Sequence, residues 1–66
     1  MNILLNGEQR GLEEALTLHG LIDYLALSGK RLAVEVNEEV VPRSQHAEYC
    51  LHDGDRVEIV HAIGGG

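Results

Sequence analysis

Arg56-Val57-Glu58-Ile59-Val60-His61-Ala62-Ile63-Gly64-Gly65-Gly66 reads as an alternating strand running straight into a run of glycines. Val57 and Ile59 fall on one face and Glu58 and Val60 on the other, the period of two expected of a half-buried strand. The glycines behind it have no side chains to obstruct a narrow channel, and glycine takes almost any backbone conformation. Extended, such a tail reaches about 10 Å, at ~3.3–3.6 Å per residue. That suffices to carry a terminal carboxylate on Gly66 clear of a folded body and into another protein's active site. The pattern predicts a carrier whose C-terminus is modified and delivered, with Gly66 as the covalent site and Gly64 and Gly65 as a flexible threading tail.

Working back from this strand, Asp53-Gly54-Asp55 is a turn, since glycine supplies a positive backbone angle and Asp bonds nearby backbone. Arg43 to Ala47 is expected to form one loose helical turn behind Pro42. Leu32-Ala33-Val34-Glu35-Val36 alternates as a strand, Asn37-Glu38-Glu39 makes a turn, and Val40-Val41 is a short strand. Thr17 to Ser28 reads as a helix, because Leu18, Leu21, Ile22 and Leu25 form one apolar stripe at i, i+3, i+4 and i+7. Thr17 is the expected N-cap, and Gly29 stands where a left-handed C-terminal cap is wanted. Gly20 inside this helix costs roughly 1 kcal/mol relative to Ala and so hints at close packing. At the front, Asn2 to Asn6 reads as a strand with Ile3 and Leu5 on one face. Asn6-Gly7 is a strong hairpin signal, with Glu8 to Leu12 returning as a second strand. The predicted order is strand, strand, helix, strand, short strand, strand, in a single domain spanning residues 1–66.

Sixty-six residues make a thin core, since a chain this small buries only ~60% of its unfolded surface. A cavity for a sizeable cofactor would compete with that core. Eleven acidic residues against five basic ones give a formal charge of −6. Nucleic-acid binding draws on Lys and Arg to neutralise phosphates, so nucleic acid is disfavoured as a partner, and protein partners with positive surfaces are favoured. No apolar stretch approaches the ~18 residues of a membrane span, and the N-terminus has no basic segment followed by a long apolar run. The lone Cys50 allows neither an internal disulfide nor a thiolate zinc cluster. It fits a reducing cytosol, and a cytoplasmic location is expected. Flanked by Tyr49 and Leu51, Cys50 is expected to be a buried structural thiol. His19, His46, His52 and His61 lack metal-ligand spacing and are expected to be ordinary surface or strand residues, so no metal site is predicted. No nucleophile converges with a base, and Walker, GxSxG and GxGxxG loops are absent. The chain is expected to be a protein co-substrate, not an enzyme.

Six segments then align with a known family: Asn2-Ile3-Leu4-Leu5-Asn6-Gly7, Thr17-Leu18-His19-Gly20-Leu21, Val34-Glu35-Val36-Asn37, Val40-Val41-Pro42-Arg43, Asp53 to Val60, and the terminal glycines. Each is weak alone, but in this order within so short a chain they are specific. The whole chain resembles the ubiquitin-like sulfur carriers, most closely the sulfur-carrier family of thiamin thiazole biosynthesis. The small subunit of molybdopterin synthase shares the ending but is usually longer and lacks the Val-Pro-Arg segment. Two terminal glycines would suffice for such a carrier, so Gly64 is one more than needed.

The resemblance implies an α+β, ubiquitin-like β-grasp fold, a mixed sheet of four to five strands wrapped around one helix. It implies that a partner adenylyltransferase activates the Gly66 carboxylate with ATP. Sulfur from a cysteine desulfurase persulfide, or another donor, would displace AMP to leave a terminal thiocarboxylate. Thiazole synthase would then take that sulfur into the thiazole ring of thiamin. No cofactor is expected on the chain itself, the ATP being used by the partner. Ordering three glycines costs roughly 3–6 kcal/mol, at ~1–2 per residue, so docking must also draw on the folded body. Leu4, Val60 and Ala62 are the expected docking patch, because β-grasp topology sets the first and last strands side by side. Two alternatives stand beside this reading: the same carrier chemistry serving another pathway (molybdopterin or RNA thiolation), and a non-covalent β-grasp binding module.

Overall fold

The computed structural model describes residues 1–62. In chain order the elements are β1 (Asn2–Leu5), β2 (Glu8–Gly11), α1 (Leu18–Tyr24), β3 (Leu32–Val36), β4 (Glu39–Val40), a 3-10 turn at Arg43–Gln45, and β5 (Arg56–His61). The strands lie side by side in the order β2-β1-β5-β3-β4. The last strand therefore occupies the middle of the sheet, parallel to β1 and antiparallel to β3. This is the expected mixed sheet, and it closes over one face of α1.

Alternation decides which side chains go inside. Ile3 and Leu5 of β1, Val34 and Val36 of β3, and Val57 and Ile59 of β5 are buried on one face. They meet Leu18, Leu21 and Ile22 of α1, with Leu12, Val41 and Leu51 closing the rim. The chain has neither Phe nor Trp, so this core is built from aliphatic residues.

Both hairpins turn on two residues with positive φ at each central position: Asn6 and Gly7 (50° and 82°), then Asn37 and Glu38 (52° and 71°). This is the type I′ signature, whose twist matches that of paired strands. Asn-Gly announces the first turn. The second is tighter than the expected turn over 37–39, so β4 starts at Glu39 and Val41 points into the core instead. Asn37 fixes this turn to its neighbours: its Nδ2 donates to Asp55 Oδ1 at 3.0 Å, and Arg56 N–H donates to its Oδ1 at 3.0 Å.

Thr17 caps α1 as expected, its Oγ1 accepting the Gly20 N–H at 3.1 Å. A Cβ on Gly20 would meet Thr17 Oγ1 at 3.4 Å and Leu16 at 3.5 Å, ordinary contact distances. The helix stops earlier than its apolar stripe suggests. Ala26 N–H donates to Asp23 O (3.0 Å) and Leu27 N–H to Ile22 O (2.9 Å), the paired bonds of a Schellman motif. Ala26, with φ 60°, holds the left-handed position that Gly29 was expected to take. The reversed chain lets Leu27 pack on the core, which outweighs the cost of an alanine there. Left-handed backbone costs an L-residue roughly 1–2 kcal/mol, so Ala26→Gly is expected to stabilise the domain by about 1 kcal/mol. Urea unfolding of the two proteins checks this; an unchanged midpoint would mean that Ala26 is unstrained.

Two further expectations are corrected. Cys50 is exposed, because the isolated bridge between Thr17 and Cys50 turns its neighbour Leu51 into the core instead. His46 is not a surface residue but 7% exposed, with its Nε2 at 3.0 Å from the Val41 carbonyl. The carbonyl accepts, so Nε2 carries the proton and ties the 3-10 turn to the end of β4.

Candidate functional site: the root of the tail

Gly64, Gly65 and Gly66 lie outside the described residues, and so does Ile63. What is described is the strand from which they continue. β5 receives β1 on one side through Leu4 N–H to Asp55 O and Asn6 N–H to Val57 O, both 2.9 Å. β1 then turns away at Asn6-Gly7, and Ile59 would be left without a ladder partner on that side. The Asn6 side chain fills the gap. Ile59 N–H donates to Asn6 Oδ1 at 2.9 Å, and Asn6 Nδ2 donates to Ile59 O at 3.1 Å. One amide thus substitutes for the two backbone groups that a longer β1 would have supplied. On the other side β3 holds β5 from Val57 to His61, and Ala62 N–H donates to Arg31 O at 2.9 Å. The root of the tail is pinned on both flanks as far as Ile59, five residues before the glycine run, and on the β3 side as far as Ala62.

The Asp53-Gly54-Asp55 turn fastens the start of the same strand. Gly54 takes φ 88°, while Asp55 Oδ2 accepts His52 N–H at 2.8 Å and Asp53 Oδ1 accepts Asn2 N–H at 2.6 Å.

Of the predicted docking residues, Val60 is 57% exposed on the outer face of the sheet, and Ala62 is exposed two residues further on. Leu4 is half-buried on the same face but belongs to its other end, since the β1–β5 register sets it opposite Arg56. Four residues of extended strand, about 13 Å at ~3.3 Å each, separate Arg56 from Val60. The structure brings Val60 and Ala62 together and leaves Leu4 apart from them. Ala33, directly across from Val60 on β3, is exposed beside it. Between the two apolar ends Glu35 and Glu58 stand directly opposite each other across β3 and β5, and Val40, 70% exposed, pairs with Glu35 from β4. Arg56 bonds Glu38 at 3.1 Å, both side chains exposed. The outer face therefore carries apolar residues at its rims and mainly carboxylates in the middle.

Sequence reading saw Asn6 only as a turn residue. Its second role follows from the parallel β1–β5 pairing, which no local pattern reveals. Among the described residues no group of three or more His, Cys, Asp and Glu side chains is arranged to hold a metal ion, and no helix is long and apolar enough to cross a membrane.

A mixed sheet of this order wrapped on a single helix makes the chain a ubiquitin-like β-grasp domain. It belongs to the ThiS family, whose model matches residues 3–66. The sulfur carrier protein ThiS of Escherichia coli is 32% identical over 66 residues, covering 100% of both chains. The crystal structure of a thiamine biosynthesis protein (ThiS) from Geobacter metallireducens superposes with a TM-score of 0.88 at 32% identity, covering 100% of both chains. A thiazole synthase of Paramagnetospirillum magneticum is 41% identical over 66 residues, and the chain spans 20% of that protein's length.

Proposed function

We propose that this chain is a sulfur carrier for the thiazole ring of thiamin, with Gly66 as the residue that carries the sulfur. The observation that carries the proposal is the end-to-end match to the E. coli sulfur carrier protein, glycine tail included. The chemistry divides between this chain and its partners. A carboxylate is a poor electrophile, so an adenylyltransferase must first convert the Gly66 carboxylate and ATP into an acyl-adenylate and pyrophosphate. The terminal sulfur of a cysteine desulfurase persulfide then displaces AMP to form an acyl disulfide, which a thiol reduces to the thiocarboxylate with formation of a disulfide. A sulfide-level donor would displace AMP and give the thiocarboxylate directly. The resulting thiocarboxylate is anionic at neutral pH, and its soft sulfur is suited to attack a carbonyl or imine in thiazole synthase. Likeness to a thiazole synthase over a fifth of that protein's length agrees with this partner. In this reading the chain contributes no catalytic group. It supplies a pinned strand, a tail without side chains, and a surface for docking, and it acts in the cytoplasm.

The test is the intact mass of the chain after incubation with ATP, the host adenylyltransferase, a cysteine desulfurase and cysteine. Replacement of one oxygen by sulfur is expected. No mass change in the presence of a demonstrably active adenylyltransferase would sink the carrier reading.

The docking patch is carried forward as Val60 and Ala62 together, with Ala33 beside them and Leu4 as a separate contact. Val60→Asp is expected to weaken binding of the adenylyltransferase about tenfold, the effect of losing a moderate interface anchor, and to leave the melting temperature unchanged. Unaltered affinity for both the adenylyltransferase and thiazole synthase would dismiss the patch.

A further inference from the structure

A cavity of about 180 Å³ opens between the C-terminal end of α1, the segment that follows it, and the 3-10 turn. Its charge is opposite to that of the molecule. Acids outnumber bases eleven to five in the chain, yet Lys30, Arg43, His19 and His46 line this cavity and no carboxylate does. Neither Lys30 nor Arg43 takes part in a salt bridge among the described residues, where Arg56–Glu38 is the pair that forms. The remaining wall is apolar, from Ile22, Leu27 and Leu32.

The walls are held by backbone bonds. His19 N–H donates to His46 O at 3.0 Å, His46 N–H to Arg43 O at 3.1 Å, and Lys30 N–H to Leu27 O at 3.1 Å. The buried His46 ring, anchored through Nε2 to Val41, fixes the 3-10 turn and with it the base of Arg43. The cavity is thus a concavity held by backbone bonds, with two exposed cationic residues in its lining. An Arg fork and a Lys point charge, lining one cavity from different segments, match an oxyanion with several oxygens and more than one charge. His19 adds an imidazole nitrogen able to donate to the same group. A lone carboxylate would leave one of the two cations without a partner.

We infer that this cavity binds the phosphate group of a small phosphorylated molecule, with Lys30 and Arg43 on the phosphate oxygens and the Ile22, Leu27 and Leu32 wall against its apolar body. The site is non-covalent and does not depend on the tail chemistry proposed above. It is nonetheless placed to communicate with the tail. Leu32 lies opposite His61 in the β3–β5 register, and Arg31 O accepts the Ala62 N–H, so one cavity wall is also the strand that holds the root.

The test is an NMR titration of the intact chain with inorganic phosphate and with phenyl phosphate, sodium chloride balancing the ionic strength. Saturable shifts confined to His19, Lys30, Arg43 and their neighbours are expected, with phenyl phosphate binding more tightly than inorganic phosphate. Lys30→Gln and Arg43→Gln should each weaken binding about tenfold or more, as for loss of a charged hydrogen bond. Both side chains are exposed, so circular dichroism and melting temperature should stay at wild-type values. Shifts that never saturate, or that sodium chloride alone reproduces, would overturn the site, as would wild-type affinity in both variants. Phenyl phosphate binding no tighter than inorganic phosphate would overturn its assignment to a phosphorylated molecule.

Discussion

Deleting Gly65 and Gly66 is expected to abolish thiocarboxylate formation while leaving the domain as stable as before. The two halves of this result rest on separate observations. The buried core is complete at Ile59, and the last backbone bond of the described sheet is that of Ala62 to Arg31. Loss of the final two glycines removes none of these contacts, so unfolding should not register it. The chemistry is expected to fall to background, because the new terminal carboxylate on Gly64 would sit two residues short, about 7 Å at ~3.3–3.6 Å per residue. Reacting atoms must approach to about 3–3.5 Å, and a deficit of that size cannot be recovered by small adjustments of the docked body. The assay is intact mass after the complete sulfur-transfer reaction, with melting temperature measured on the same samples. A truncated chain that still accepted sulfur would show that the terminal residue is not the carrier site.

The second large effect is expected at Asn6. Asn6→Ala removes an acceptor from the Ile59 N–H and a donor from the Ile59 carbonyl, both part-buried. Each lost bond contributes about 0.5–1.5 kcal/mol, and a group left unsatisfied costs about 1–3 kcal/mol. The substitution also puts an alanine at φ 50°, where the side chain of Asn is better tolerated. A total loss of about 2–3 kcal/mol is expected, a large share of the ~5–15 kcal/mol that stabilises most domains. At ~4–8 °C per kcal/mol for a chain this small, the melting temperature should drop by about 10–20 °C. Asn6→Gly separates the two causes, since glycine accepts the positive φ but still lacks the amide. It should recover about 1 kcal/mol of the loss and no more. Wild-type stability in Asn6→Gly would mean that the bonds to Ile59 contribute nothing.

Local signals carried much of the fold. Asn6-Gly7, the capping Thr17, the alternation of Leu32 to Val36 and the Asp53-Gly54-Asp55 turn each announce their element through nearest-neighbour chemistry, and each is found where expected. The departures share one cause, which is tertiary contact overriding local preference. Helix α1 ends at a left-handed Ala26 because burying Leu27 outweighs the strain, a trade invisible to a search for glycine. Glu38 accepts φ 71° because Asn37 is bonded to Asp55 and Arg56, eighteen and nineteen residues away. Cys50 and His46 exchange their expected environments because a bridge to Thr17 and a bond to Val41 set which side of the loop faces inward. The site was legible to the same degree. The outward phase of Val60 and Ala62 follows from alternation alone, whereas the distance of Leu4 from them depends on a strand register that sequence periodicity does not encode.

The strand order has a consequence for how the molecule comes into being. Among the described residues β5 comes last in chain order yet is the central strand of the sheet, and its clamp joins Asn6 to Ile59 across 53 residues. Until β5 leaves the ribosome, the β1–β2 hairpin and the β3–β4 hairpin have no partner to join them, and isolated two-stranded hairpins are at best marginally stable in water. Long-range closure of this kind also slows folding, because the loop entropy is lost before the contacts reward it. The domain should therefore condense only after Ile59 has been synthesised, with no folded half-product beforehand. Chains broken off upstream would remain open and fall to proteolysis, so that only molecules with an assembled β5 persist.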